Sequence, residues 1–290
     1  MVQTPFSKII AGTMTWGKWG KNLDKNQMIA LMNFCQENGI TTFDHADIYG
    51  GYTTEADFGN AFHESRIDRK KIQLISKCGI QLVSENRSTK IKHYDYSKSH
   101  IIGSAEQSLK NLKTDYLDLL LLHRPSPLMH PDEIAEAIEK LKAEGKILEF
   151  GVSNFTPIQT DLIQAKTEIK YNQIEFSVTH FDAMLIGSLD HMQSNGIQPM
   201  CWSPLGTVFK KDDEKSIRIK KLATQLSSKY NVEMDVLLLA WILKHPSGIL
   251  PVFGSADKTR ITNLMKATIL EMELEDWFAF WTESAGNNVP

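Results

Sequence analysis

No C-x-x-C pair occurs in this sequence, and its three cysteines, Cys35, Cys78 and Cys201, are odd in number and far apart. That argues against a disulfide framework or a zinc knuckle and fits a reducing compartment, so a cytoplasmic protein is expected. Excess charge of one sign is missing too. The net charge of −3 favours neither nucleic acid nor an acidic membrane surface as a partner. No apolar run approaches the ~18 residues of a membrane span, and YLDLLLLH and VLLLAWIL have only the length of buried elements. The first residues, MVQTPFSKIIAGT, show no apolar core of a signal peptide.

Familiar site motifs are absent as well. There is no G-x-G-x-x-G after the first strand, no G-x-S-x-G and no H-E-x-x-H. GTMTWGK at Gly12–Lys18 matches most of a phosphate-binding loop. Trp19, however, stands where a Ser or Thr would bind magnesium, so this stretch reads better as part of a barrel mouth.

What is present is a repeated unit: short apolar strand, loop, amphipathic helix. The strands are SKIIAGT, ITTFD, KIQLISK, YLDLLLLH, KILEFGVS, IKYNQIE, IQPMCW and SGILPVFGS. Helices are expected at about 25–38, 54–64, 98–112, 131–143, 157–166, 183–194, 216–230, 234–244, 257–266 and 274–282. Alternating strands and helices imply a parallel sheet, and eight units in 290 residues imply a closed barrel. The expected fold is α/β, a single (β/α)8 TIM barrel with extra C-terminal helices. No linker or composition break divides 1–290, which reads as a single domain. The run KKDDEKS at 210–216 reads as a solvated loop, with a flap over a ligand as the alternative.

In such a barrel, chemistry sits at the C-terminal ends of the strands. TTF ends on Asp44, IQLIS on Lys77 and LLLL on His123, and Tyr49 lies in the loop after Asp44. Taken singly, these residues have plainer readings as a helix cap, a solvated lysine and a satisfied histidine ring. Taken together they have a chemical logic. A lysine ammonium beside a phenol lowers its pKa of ~10, an aspartate keeps the lysine charged, and a histidine aligns a carbonyl oxygen. Such a set would protonate an oxygen that gains negative charge as hydride arrives at its carbon. Two rival readings meet obstacles. A Schiff-base role for Lys77 needs a neutral amine, which Asp44 opposes. A metal site at Asp44, His45 and Asp47 is opposed by strand alternation, so no metal is expected.

These residues resemble the aldo-keto reductase family. TTFDHADIYG is similar to its aspartate-to-tyrosine motif, ISK to its lysine strand and LLLLHRP to its histidine strand; GVSNF, YNQIEFS and CWSPLG follow in order. The likeness runs from about Ile9 to Lys266 and points to the bacterial YdhF-like oxidoreductase branch. It implies that Asp44, Tyr49, Lys77 and His123 are a catalytic tetrad with Tyr49 the general acid. It implies that Ser153, Asn154 and Gln173 hold the nicotinamide carboxamide and that Trp202 stacks on the nicotinamide ring. By the same resemblance Ser203, Leu205 and Thr207 line the pyrophosphate. Gly254, Ser255 and Arg260, at a helix start suited to an anion, take the adenosine 2′-phosphate. NADP(H) is thus the implied cofactor, NADPH rather than NADH. Read without the resemblance, Ser153 or Asn154 would be a helix cap, Trp202 a core aromatic and Arg260 a partner of Asp257.

Two departures stand out: Gly254 replaces a lysine common in relatives, and Asn263-Leu264 replaces a glutamate–asparagine pair for the adenine. The implied activity is reduction of aldehyde or ketone carbonyls on small molecules. The alternative is an NADP(H)-binding redox-sensing module. The expected state is a monomer, with aromatic residues Trp16, Trp19, Tyr52 and Tyr94 lining an apolar substrate pocket or anchoring loops.

Overall fold

A computed structural model describes residues 5–289. Eight parallel strands close into a barrel in the order of the chain. They are β1 (Ile10–Gly12), β2 (Thr42–Asp44), β3 (Gln73–Cys78), β6 (Leu117–Leu122), β7 (Ile147–Ser153), β8 (Tyr171–Glu175), β9 (Gln198–Trp202) and β10 (Leu250–Phe253). Between β3 and the next helix lies an antiparallel pair, β4 (Ile80–Gln81) and β5 (His93–Tyr94). The sequence reads this stretch only as a long loop, because two-residue strands carry no periodicity.

Ten α-helices surround the barrel among the described residues: α1 (Lys25–Glu37), α2 (Thr54–Ser65), α3 (Lys98–Leu112), α4 (Pro131–Ala143), α5 (Pro157–Gln164), α6 (Ser188–Ser194), α7 (Glu214–Tyr230), α8 (Met234–Leu243), α9 (Lys258–Met265) and α10 (Leu274–Ala285). Their starts are chemically marked. Asp24 and Thr156 form capping boxes with Gln27 and Gln159, and Pro131 and Pro157 occupy first-turn positions. Asp213, from the charged 210–216 run, caps α7 by accepting from Ser216. The single helix expected over 183–194 is split. A 3₁₀ turn at Asp182–Met184 precedes Gly187, whose φ of +76° ends it before α6 begins.

Two apolar layers follow from strand alternation. Leu74, Leu120, Leu122 and Phe43 face the helices. Ile10, Ile75, Leu119, Leu121, Tyr171, Met200, Leu250 and Val252 fill the barrel interior with Phe6, which packs on Tyr171 at the strands' N-terminal end. Truncating one such leucine to alanine would cost about 2–5 kcal/mol. Continuing the same alternation puts Asp44, Lys77 and the residue after Leu122, His123, on the inner face. The C-terminal α10 is pinned to α8 by Trp277 and Trp241. Their rings stack at 5.0 Å, and each indole N–H donates to the other's backbone carbonyl at 2.9–3.0 Å. No helix among the described residues is long and apolar enough to cross a membrane.

Candidate active site

The barrel order divides the expected site residues into two arcs. Asp44, Lys77 and His123 come from the adjacent strands β2, β3 and β6 or the residue just past them. Ser153, Gln173, Trp202 and Gly254 come from the adjacent strands β7, β8, β9 and β10 or the residue just past them. The two arcs meet inside the mouth.

At the first arc Lys77 is the hub. Its Nζ donates to Asp44 Oδ2 at 2.6 Å, to the His45 carbonyl at 2.9 Å and to the Tyr49 hydroxyl at 3.2 Å. Lys77 is 1% exposed and Asp44 2%, so the ion pair is shielded from water and salt. Burial works to lower the lysine pKa, but Asp44 and the phenol outweigh it and the net direction is upward, so the ammonium form is held. Tyr49 moves the other way from the sequence expectation. Lys77 does favour the phenolate, yet burial is the larger effect and Asp44 adds to it, so the phenol pKa rises. Tyr49 therefore keeps its proton at neutral pH.

His123 lies edge-on to the Tyr49 ring, centroids 6.1 Å apart. Its Nδ1 is buried without a partner among the described residues, which leaves Nε2 as the nitrogen open to the mouth. Burial, then the positive charges of Lys77, Arg124 and Lys92, hold its pKa well below the usual histidine range. The ring is neutral at pH 7, and a neutral imidazole with a proton on Nε2 can donate to a carbonyl oxygen.

The second arc carries the amides and the large ring. Gln173 Nε2 donates to Asp44 Oδ1 at 3.1 Å, so the residue expected at a carboxamide also steadies the acid behind Lys77. Ser153 Oγ donates to the Gln173 carbonyl at 2.9 Å. Asn154 adopts φ +63° and bridges three neighbours: its Nδ2 donates to Ser153 Oγ at 2.8 Å and to the His123 carbonyl at 3.4 Å, and its Oδ1 accepts from Trp202 Nε1 at 2.9 Å. Neither Ser153 nor Asn154 caps a helix; Thr156 does. Trp202 is half-buried at the mouth and not a core aromatic. Ser203, Leu205 and Thr207 follow it in a turn closed by Gly206 N–H to the Ser203 carbonyl at 2.7 Å. A Cβ on Gly206 would lie 2.0 Å from Thr179 Oγ1, so only glycine fits there.

Beyond β10, Ser255 Oγ accepts from Asp257 N–H at 3.1 Å, and Asp257 caps α9 by accepting from the Arg260 N–H at 2.9 Å. The Arg260 guanidinium pairs with Asp235 at 3.2 Å and not with Asp257 as the sequence alone would have it. Gly254 is tied to the first loop through Thr15, whose hydroxyl donates to the Gly254 carbonyl at 2.6 Å.

Several loop aromatics resolve differently from one another. Trp16 is 1% exposed and packs on Phe43 and Phe58, so it is an anchor and lines no pocket. Trp19 is 44% exposed and 6.2 Å from the Tyr49 ring, at the mouth. The Tyr52 hydroxyl accepts from Leu82 N–H at 2.8 Å and tethers the 79–97 loop. His45 points away from Asp44. Its Nδ1 bonds Thr13 Oγ1 at 2.9 Å and its ring lies edge-on to Phe58 at 4.3 Å, as strand alternation requires.

Comparisons with known proteins agree on one family. A model of the "Aldo/keto reductase family" matches residues 8–279. The chain is 42% identical to "Uncharacterized oxidoreductase YcsN" of Bacillus subtilis (strain 168), covering 98% of this chain and 96% of that protein. It is 39% identical to "Oxidoreductase YdhF" of Escherichia coli (strain K12), again covering 98% and 96%. Among solved structures, an aldo/keto reductase from Klebsiella pneumoniae in complex with NADP and acetate aligns with a TM-score of 0.76 at 25% identity, covering 94% of this chain and 89% of that one.

Proposed function

This chain belongs to the aldo/keto reductase family, oxidoreductases of carbonyl groups, and on that premise we propose that it reduces aldehydes or ketones with NADPH, the proton coming from Tyr49. The observation that carries the reading is the buried Asp44–Lys77–Tyr49 chain, with Lys77 Nζ 2.6 Å from the acid and 3.2 Å from the phenol.

The bound nicotinamide would supply a hydride to the carbonyl carbon. The residues here fit it: Ser153, Asn154 and Gln173 present hydroxyl and amide groups for the carboxamide, and Trp202 offers an indole face. Ser203, Leu205 and Thr207 would border the pyrophosphate, while Gly254, Ser255 and Arg260 would take the 2′-phosphate. In the reaction Tyr49 holds its proton until negative charge builds on the carbonyl oxygen, then releases it. Lys77, kept positive by Asp44, stabilises the phenolate left behind. Gln173 and the His45 carbonyl fix Asp44 and Lys77 from outside. Neutral His123 donates to the same oxygen and orients it. The loops at 16–22, 79–97, 124–130 and 208–215 would shape the substrate pocket.

The test is Tyr49→Phe. Fluorescence titration should give unchanged NADPH affinity, while turnover of 4-nitrobenzaldehyde should drop by roughly 10²–10⁴-fold. Activity above a tenth of wild type would remove Tyr49 from its role. Tight NADPH binding by the wild type with no turnover of any carbonyl would favour the redox-sensing alternative.

A further inference from the structure

The mouth holds a cation that the reduction chemistry leaves without a task. The partly buried arginines are Arg69, Arg124, Arg218 and Arg260. Three of them meet a carboxylate: Arg69 reaches Asp118 at 2.6 Å, Arg260 reaches Asp235 at 3.2 Å and Arg218 lies 3.9 Å from Glu283. Arg124 has no such partner among the described residues. Its guanidinium carbon lies 5.3 Å from the centre of the Trp202 ring, a contact that only partly offsets the loss of hydration.

The backbone that carries this cation is held in place. The Arg124 N–H donates to the Tyr96 hydroxyl at 3.1 Å, and the same hydroxyl donates to the Arg124 carbonyl. Pro125 restricts the backbone further. Tyr96 owes its position to Gly79, at φ +105°, where a Cβ would lie 2.0 Å from the tyrosine ring. On the other side, Trp202 is fixed by Asn154, which also bonds the His123 carbonyl. The Arg124 backbone is thus fixed one residue from His123, and its guanidinium lies against the Trp202 indole.

Nearby acids do not neutralise it. Asp44 is occupied by Lys77 and Gln173. Asp47 is buried, and burial and Glu55 push its pKa well above the carboxylate range. Lys92 adds a second positive charge close enough to act on His123. A partly buried guanidinium on a fixed backbone, with no carboxylate partner among the described residues and one residue from His123, is suited to an anion that arrives from outside. Its planar donor edge matches a carboxylate.

We propose that Arg124 anchors a carboxylate carried by the carbonyl substrate, so that oxo-acids are preferred over their uncharged counterparts. This rests on the reductase reading above. The carboxylate is distinct from the reacting carbonyl, which belongs at Tyr49 and His123.

Matched acid and methyl-ester pairs test it: 3- and 4-carboxybenzaldehyde, and 4-oxobutanoate, each against its ester, with NADPH. The wild type should favour the acids in kcat/KM. Arg124→Gln should lower the acid-to-ester ratio by roughly 10–100-fold, mainly through KM for the acid, and Arg124→Lys should recover part of it. An unchanged ratio, an equal loss on acid and ester, or a rise in KM for NADPH larger than that for the acid would overturn the proposal. A second readout needs no turnover: benzoate and benzamide are titrated into the NADP-bound protein by tryptophan fluorescence. Benzoate should bind more tightly, and Arg124→Gln should erase the difference. Benzoate binding that survives the substitution would overturn the proposal. A wild type that turns over neither acid nor ester would instead remove the reductase reading, while the benzoate titration still decides on Arg124.

Discussion

Replacing Asp44 by asparagine perturbs the most constrained point of the molecule. The side chains of Asp44 and Lys77 are 3% and 1% exposed, and their 2.6 Å contact is the shortest bond either makes. Asparagine keeps the volume and removes the charge. Its amide oxygen can still accept from Lys77, and Gln173 can flip its own amide to match the new N–H₂ group. What is lost is the compensation of a buried ammonium. Breaking one partner of a buried pair costs about 3–5 kcal/mol. For a protein whose whole stability is of order 5–15 kcal/mol, that is a large fraction. Lys77→Met should cost a comparable amount by stranding the carboxylate. The double variant should not cost the sum, because two neutral groups of similar volume leave no bare charge. Urea unfolding at pH 7, followed by tryptophan fluorescence, gives the four free energies of the cycle. The expected coupling is at least ~2 kcal/mol in favour of the double variant. Single costs under about 1 kcal/mol, or costs that add within ~0.5 kcal/mol, would show that the pair does not hold the site as described.

Two further predictions follow. His45 is buried, and burial first, then Lys77, lowers its pKa from 6.5 to about 3. The unfolded chain therefore takes up this proton first as pH falls, and stability drops between pH 6.5 and 3; at pH 5 the loss is about 2 kcal/mol. His45→Asn should remove that share of the difference in unfolding free energy between pH 8 and pH 5, and an unchanged difference would contradict the assignment. Arg260→Ala should raise KM for NADPH by about tenfold or more with little effect on NADH; equal effects on both cofactors would take the 2′-phosphate away from Arg260.

Much of this was legible in the sequence because two periodicities write it there. The eight apolar runs fall on the eight barrel strands, and α3 and α4 have the boundaries that their apolar spacing and Pro131 predict. Period-two alternation also explains why Asp44, Lys77 and His123 share the inner face while His45 does not. What escaped is what depends on packing between distant segments. The pairing of β4 with β5 is set by Tyr52 and Gly79, not by local pattern. By position Trp16 reads as either a pocket-lining or a loop-anchoring aromatic, and only its packing into the Phe43–Phe58 cluster decides for the anchor. The Tyr49 pKa rises where the sequence implies a fall, because a sequence reveals the neighbouring lysine but not the degree of burial.

The bond between Gln173 and Asp44 changes how the two arcs should be viewed. A residue proposed to hold a carboxamide also donates to the acid that keeps Lys77 charged. Asn154 does the same on the other side, since its one amide reaches Ser153, the His123 backbone and Trp202. The groups proposed to meet the nicotinamide are therefore also the groups that hold Asp44 and the His123 backbone. Trp202 is joined through Asn154 to the strand end that carries His123, and through its ring face to Arg124. The side chains proposed for cofactor contact and for proton delivery share one hydrogen-bonded frame, because the ends of six adjacent strands converge on one narrow mouth.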